Sequence, residues 1–371
     1  GGIVCGVEVF DRADSVDEYR AFFGVKGKVM YPKTDVMFCM IREILSTSDV
    51  TDTRRLHEII SRVKSRAQSS LVSAGHSTAV LRAASYGSPM AAFQDTMAGI
   101  AYYQFIEKLD KEFEERKDEI IENLKSLMTE ILRPENLSVS YTGERESLET
   151  MQKQVRELKK TLHQEAVETS PAPMICEKKN EGFMTSGQVQ YAAQAGNFRK
   201  KGFAYTGVLN ILKVALSYDY LWINIRVKGG AYGCMSGFKY SGESFFVSYR
   251  DPHLKRTYDV FAGIPDYVRG FKADEREMTK YIIGTISGKD VPKTPQMKGN
   301  ASKGAYFCGV TEEMMQKERD EILNAQAEDI QALAPLIEAI LSDEEICVVG
   351  SEPKVQKEEA LFGSISPLIN G

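Results

Sequence analysis

The stretch Ile223–Phe238, INIRVKGGAYGCMSGF, decides how the second half of the chain is read. Ile223, Ile225 and Val227 alternate with Asn224 and Arg226, the period of a half-buried strand, and Gly229-Gly230 marks a tight loop after it. The expectation is a strand ending in a loop that carries Arg226, Lys228 and Tyr232. Paired glycines permit positive φ and close approach of backbone. Arginine offers five donors and stays charged, and a tyrosine hydroxyl adds one more on a rigid ring. Such a set suits a carbonyl oxygen that gains negative charge during acyl chemistry. From the residues alone, a β-hairpin turn with a surface arginine and a core tyrosine outweighs that catalytic reading.

Working outward, GESFFVSYRDPH (Gly242–His253) alternates as a strand that pairs back on the first, with Arg250-Asp251-Pro252 read as a salt-bridged turn. GQVQYAAQAG (Gly187–Gly196) is a further strand, and AYTGVLNILKVALSYDYLW (Ala204–Trp222) is a helix. Helices follow at Leu254–Phe271, Asp274–Thr285 and Glu312–Ala325. DEEICVVGSEPKVQKE (Asp343–Glu358) gives a strand, a glycine and a charged helix start. ENLSVSYTGERESLETMQKQ (Glu135–Gln154) has the same pattern, with its strand at Asn136–Gly143.

The first half otherwise reads as helices: Asp35–Ser46, Asp52–Ala67 behind a Thr51/Asp52 cap, two pieces after Gly87, a long amphipathic one over Glu107–Leu132, and Glu144–His163. Glu165–Gly182 is polar, proline-bearing and aperiodic, as linkers are. The expected fold is α+β: two tandem related two-layer α/β sandwich domains, each a mixed or antiparallel sheet covered by helices. Their boundaries are 1–164 and 183–371, with 165–182 between them.

A chain of 371 residues, 43% hydrophobic and 27% charged, carries enough apolar material for two cores. A net charge of -5 does not favour nucleic acid. Six scattered cysteines without a C-x-x-C pair read as thiols of a reducing compartment, the cytoplasm or an organelle matrix. No apolar run reaches the length of a membrane span, and no signal peptide is visible. The start at Gly1-Gly2-Ile3, without Met, suggests a piece cut from a longer polypeptide, although tag removal gives the same look.

Familiar catalytic motifs are missing. LHEIIS at His57 begins like H-E-x-x-H, but Ser61 stands where the second histidine belongs, so a surface histidine beside a glutamate is expected. His76, His163 and His253 have no partner at ligand spacing, and no metal is expected on this chain. Ser236 lacks the G-x-S-x-G elbow. KGGAYG has neither P-loop nor dinucleotide spacing.

RVKGGAYG, GESFFVSYRDPH and GTISGKDVPKTPQMKG, with SSLVSAGHSTAVLRAASYGSPM and GIAYYQFIEKL in the first half, resemble the presequence protease branch of the pitrilysin/insulysin metallopeptidases. The resemblance covers essentially the whole chain and places it in the C-terminal half, beginning inside the third of four related α+β domains. It implies a peptide hydrolase whose halves close around an unstructured peptide, with zinc on an inverted His-x-x-Glu-His motif of the N-terminal half. That motif is absent here, so zinc belongs to the parent enzyme and this chain alone is expected to be inactive. By motif position Arg226 and Tyr232 are expected to reach the substrate carbonyl, while Lys228, Gly229, Gly230 and Arg250 are expected to touch the peptide. The partners implied are the N-terminal catalytic half and peptide substrates, with no nucleic acid and no membrane. The alternative is a non-catalytic structural or substrate-holding subunit of the same fold.

Overall fold

A computed structural model describes residues 2–167 and 173–369. The chain opens with β1 (Ile3–Asp11) and β2 (Tyr19–Gly27), paired antiparallel from Ile3↔Gly27 to Asp11↔Tyr19. Helices then follow: α1 (Thr34–Thr47), α2 (Thr53–Ser73), α3 (Gly75–Ala84), α4 (Pro89–Ala98), α5 (Ile100–Lys111), α6 (Phe113–Ile131) and α7 (Leu148–Thr161). Two of these helices start on a capping side chain: Asp52 accepts from Arg55 N at α2, and Ser88, followed by Pro89, accepts from Ala91 N at α4. The single long helix expected over Glu107–Leu132 is broken at Glu112 between α5 and α6.

Asn136–Gly143, expected as a strand, is not one. Leu137 and Tyr141 instead pack against the Phe38, Ile41 and Met151 cluster. A strand needs a ladder to join, and among the described residues β1 and β2 pair only with each other. Of the expected linker 165–182, residues 168–172 lie outside the described residues.

The second part supplies a six-stranded sheet of order β5-β6-β4-β7-β3-β8. Its strands are β3 (Glu181–Thr185), β4 (Tyr191–Asn197), β5 (Gly233–Phe238), β6 (Glu243–Tyr249), β7 (Glu345–Ser351) and β8 (Ser364–Pro367). The pairs β5–β6, β6–β4 and β4–β7 are antiparallel, whereas β3 runs parallel to both β7 and β8. The expected β5–β6 hairpin is present, but its first strand begins at Gly233, after the glycine loop.

Helices cover both faces of this sheet. On one face, Phe246 joins the core under α8 (Val208–Tyr218) with Leu209, Leu212, Phe261 and Ile337. On the other, Tyr191, Ala193, Ala195, Val247, Cys347 and Val349 meet Ala79, Ala83, Ile100 and Tyr103 of α3 and α5. Two-residue periodicity along each strand makes this division. A buried ion network fastens the second layer. Arg82 of α3 donates to both oxygens of Glu181 (2.7 and 3.0 Å) and to Asp95 Oδ2 (2.6 Å), and Tyr86 Oη donates to Glu181 Oε2 (3.0 Å). The other Asp95 oxygen accepts from the Ile100 amide at the start of α5.

Candidate functional site

The residues around the glycine pair form a helix, loop and strand. Trp222–Val227 is a π-helical turn, in which Lys228 N–H donates five residues back to Ile223 O at 2.8 Å. The strand expected at Ile223–Val227 is thus replaced by helix, and its apolar alternation does not define one buried face. Ile225 is 2% exposed, whereas Val227 is 66% exposed. Leu221 and Ile225, four apart, enter the core together. Trp222 and Arg226, also four apart, share the outer side, where Arg226 Cζ lies 4.1 Å from the indole centroid.

The two glycines have separate tasks. A Cβ on Gly229 would sit 2.3 Å from the Ile225 carbonyl oxygen, so that position allows no side chain. Gly230 has φ +77, the left-handed region glycine tolerates. The chain then turns so that Ala231 N donates to Ile225 O, and Tyr232 N reaches Tyr249 O at 3.1 Å and Arg250 O at 3.3 Å. Tyr232 is no core residue. It is 64% exposed, with its ring centroid 5.5 Å from Arg226 Cζ and edge-on to Tyr249 at 5.7 Å. Arg226 therefore stands between an indole and a phenol, on the side where β5 starts and β6 ends.

Residues outside the expected site set complete the surroundings. His76, second residue of α3, meets Tyr249 edge-on at 4.9 Å, and Tyr191 lies 5.6 Å from Tyr249. Gly75 admits this contact, since a Cβ there would fall 2.4 Å from Tyr191 Cδ2. Burial holds the His76 imidazole below its ordinary pKa, and its Nδ1 is buried without a hydrogen-bond partner. Read as a helix, Leu221–Val227 would have exposed the Trp222/Arg226 pair. The contacts of Tyr191 and His76 are long-range and carry no local signal.

The salt-bridged turn expected at Arg250-Asp251 is a turn without the salt bridge. Asp251 is buried and accepts from Thr257 Oγ1 (2.6 Å) and the His253 amide (2.9 Å). Burial pushes its carboxyl up despite these bonds. Arg250 takes φ +50 and is exposed, with its guanidinium 5.6 Å from the Tyr249 ring centroid, and hydrogen bonding to Tyr191 holds that guanidinium above the ordinary value. Lys228 and Gly230 are exposed beside it, and Gly229 is buried beneath them. Burial raises the Cys234 thiol to about 11, which keeps it protonated and inert near neutral pH.

Among the described residues no His, Cys, Asp or Glu group could hold a metal ion, so the donors present do not fit zinc. His57 stacks on Phe113 at 4.3 Å and lies 3.5 Å from Asp110. A cavity of about 240 Å³ lies at the other end of the sheet, lined by Gly87, Ser88, Asn197, Glu243, Asp343 and Glu345. Strands of this length separate it from Arg226 by roughly 20 Å. Burial, then Asp343, raises Glu345 there to about 7.

The chain superposes on a protease from Helicobacter pylori with a TM-score of 0.55 at 10% identity, covering 94% of this chain and 82% of that one. Residues 180–352 match the family model PreP C-terminal domain, and residues 1–109 match the associated domain of peptidase family M16, subfamily C. Protein HypA of Clostridium perfringens is 36% identical over 100% of this chain and 38% of its own length. Presequence protease 1, chloroplastic/mitochondrial, of Arabidopsis thaliana is 29% identical over 90% of this chain and 32% of its own length. The chain belongs to the presequence protease-like branch of the M16 peptidases and corresponds to its C-terminal half. It spans about a third of the length of these curated relatives. Among the described residues, no helix is long and apolar enough to cross a membrane.

Proposed function

We propose that this chain is the substrate-clamping half of a metalloendopeptidase that degrades unstructured peptides in a closed chamber. Arg226 and Tyr232 would donate to the carbonyl oxygen of the scissile peptide, with Lys228, Gly229, Gly230 and Arg250 along its path. The supporting observation is the pairing of Arg226 with exposed Tyr232, held by Trp222 and Tyr249 on a loop closed by backbone hydrogen bonds. Donors fixed in this way cost no reorganisation when charge develops. No step through zinc is assigned to this chain, whose residues do not fit the ion; the proposed partner half holds that chemistry. The division into units 1–164 and 183–371 belongs to the same proposal.

The test is Arg226→Ala in the full-length enzyme, which should lower kcat/KM by about 10²–10³ if an oxyanion donor is lost. Tyr232→Phe should lower it in the same direction. Undiminished turnover in both would favour a structural or substrate-holding role. On the proposed reading, the chain by itself neither cleaves a fluorogenic peptide nor retains stoichiometric zinc.

A further inference from the structure

The chain carries a net charge of -5, yet the rim of the proposed site has the opposite sign. Lys228 and Arg250 flank the glycine turn beside Arg226, Arg256 reaches the backbone of Lys228, and among the described residues none of these four cations forms an ion pair with a carboxylate. Their closeness follows from the backbone. Arg256 Nη1 donates to Lys228 O at 3.1 Å, and Tyr232 N reaches Arg250 O at 3.3 Å. Lys255, next in sequence, pairs with Asp259 at 3.1 Å, so carboxylates are available to the helix Lys255–Ala262 without serving the rim. The nearby acid, Asp251, faces inward to Thr257. Unpaired cations on one surface repel one another and create a field that attracts a carboxylate.

We propose that Lys228, Arg250 and Arg256 form a subsite for an acidic side chain, Asp or Glu, close to the cleaved bond of the substrate peptide. This rests on the proposed clamping role of Arg226 and Tyr232 and names the substrate chemistry they would serve. Exposed pairs are individually weak, and three acting together give a preference of about five- to tenfold. Because the rim is open to solvent, salt screens that preference.

The experiment uses the full-length enzyme and quenched fluorescent peptides in which one Glu is moved through the residues flanking the cleaved bond. Each peptide is matched to its Gln isostere. At low salt kcat/KM should favour Glu at one or two adjacent positions, and the ratio should shrink as salt rises. The double variant Lys228→Gln/Arg256→Gln, checked by thermal melting, should bring the ratio close to unity. A wild-type ratio at or below unity at every position overturns the proposal. So does a double variant that slows both peptides equally and keeps the wild-type ratio, because its cations would then face another part of the enzyme. Arg226→Ala separates the two levels: its collapse on both peptides beside a wild-type ratio of unity sinks the acidic subsite alone, whereas its undiminished turnover sinks the clamping role.

Discussion

Gly229→Ala tests the local structure on which the site stands. The new methyl would lie 2.3 Å from the Ile225 carbonyl oxygen and 3.0 Å from the Asn224 oxygen. Both neighbours are backbone, so no rotamer change relieves the overlap. The Ile225 oxygen also accepts from Ala231 N at 3.1 Å, and moving it loosens the turn that leads to Tyr232. Overlap of this kind costs about 2–3 kcal/mol, or roughly 5–10 °C in melting temperature for a domain of this size. Gly230→Ala is the internal control. It meets nothing closer than Pro252 Cγ at 3.6 Å and bears chiefly the left-handed φ, about 1–2 kcal/mol. The assay is thermal unfolding combined with tryptophan emission. Trp222 is the single tryptophan of the chain and lies under the Arg226 guanidinium, so its emission reports the turn itself. Gly229→Ala should melt lower than Gly230→Ala and alter the emission more. A Gly229→Ala protein with wild-type melting and emission would refute the π-helical reading.

Arg82→Ala should cost about 3–5 kcal/mol by leaving Glu181 and Asp95 buried without their cation, seen as a large fall in the denaturation midpoint. Arg82→Lys should not restore it, because a lysine cannot span Glu181 and Asp95 with a planar fork. Glu345 is held near 7 in the fold, above its ordinary value of 4.5, so the folded state binds the extra proton. Its contribution favours folding below pH 4.5 and is lost as pH rises to about 7; Glu345→Gln should therefore stabilise the protein at pH 8, by up to about 3 kcal/mol, and leave it unchanged at pH 4. Equal effects at both pH values in urea titrations would count against that account. Gly75→Ala should push the Tyr191 ring from its place beside His76 and Tyr249, lowering stability by about 1–3 kcal/mol and changing the near-ultraviolet dichroism of the tyrosines.

Strands in the second part were legible where alternation coincided with two paired neighbours. ESFFVSY places Phe246 on one face and Phe245 and Val247 on the other, and β6 lies between β5 and β4. The same alternation misled at Ile223–Val227, because burying Leu221 with Ile225 outweighs the strand preference of β-branched residues. At Asn136–Gly143 the pattern was strand-like, but pairing is non-local and no edge received it. Arg226 and Tyr232 were visible as residue types around a glycine pair, and the structure brings them together. Trp222 was hidden inside an assumed helix end. The participation of Tyr191 and His76 depends on α3 meeting the sheet across more than a hundred residues, which no window of sequence encodes.

The sheet face covered by α3 and α5 has a consequence for handling the molecule. Tyr191, Ala193, Ala195, Val247 and Val349 would become a bare apolar wall in a fragment that starts at residue 173. Such a fragment should precipitate or self-associate. Supplied separately with residues 2–167, it has the complementary surface and the Arg82–Glu181 clasp needed to reassemble as a split protein without a covalent joint.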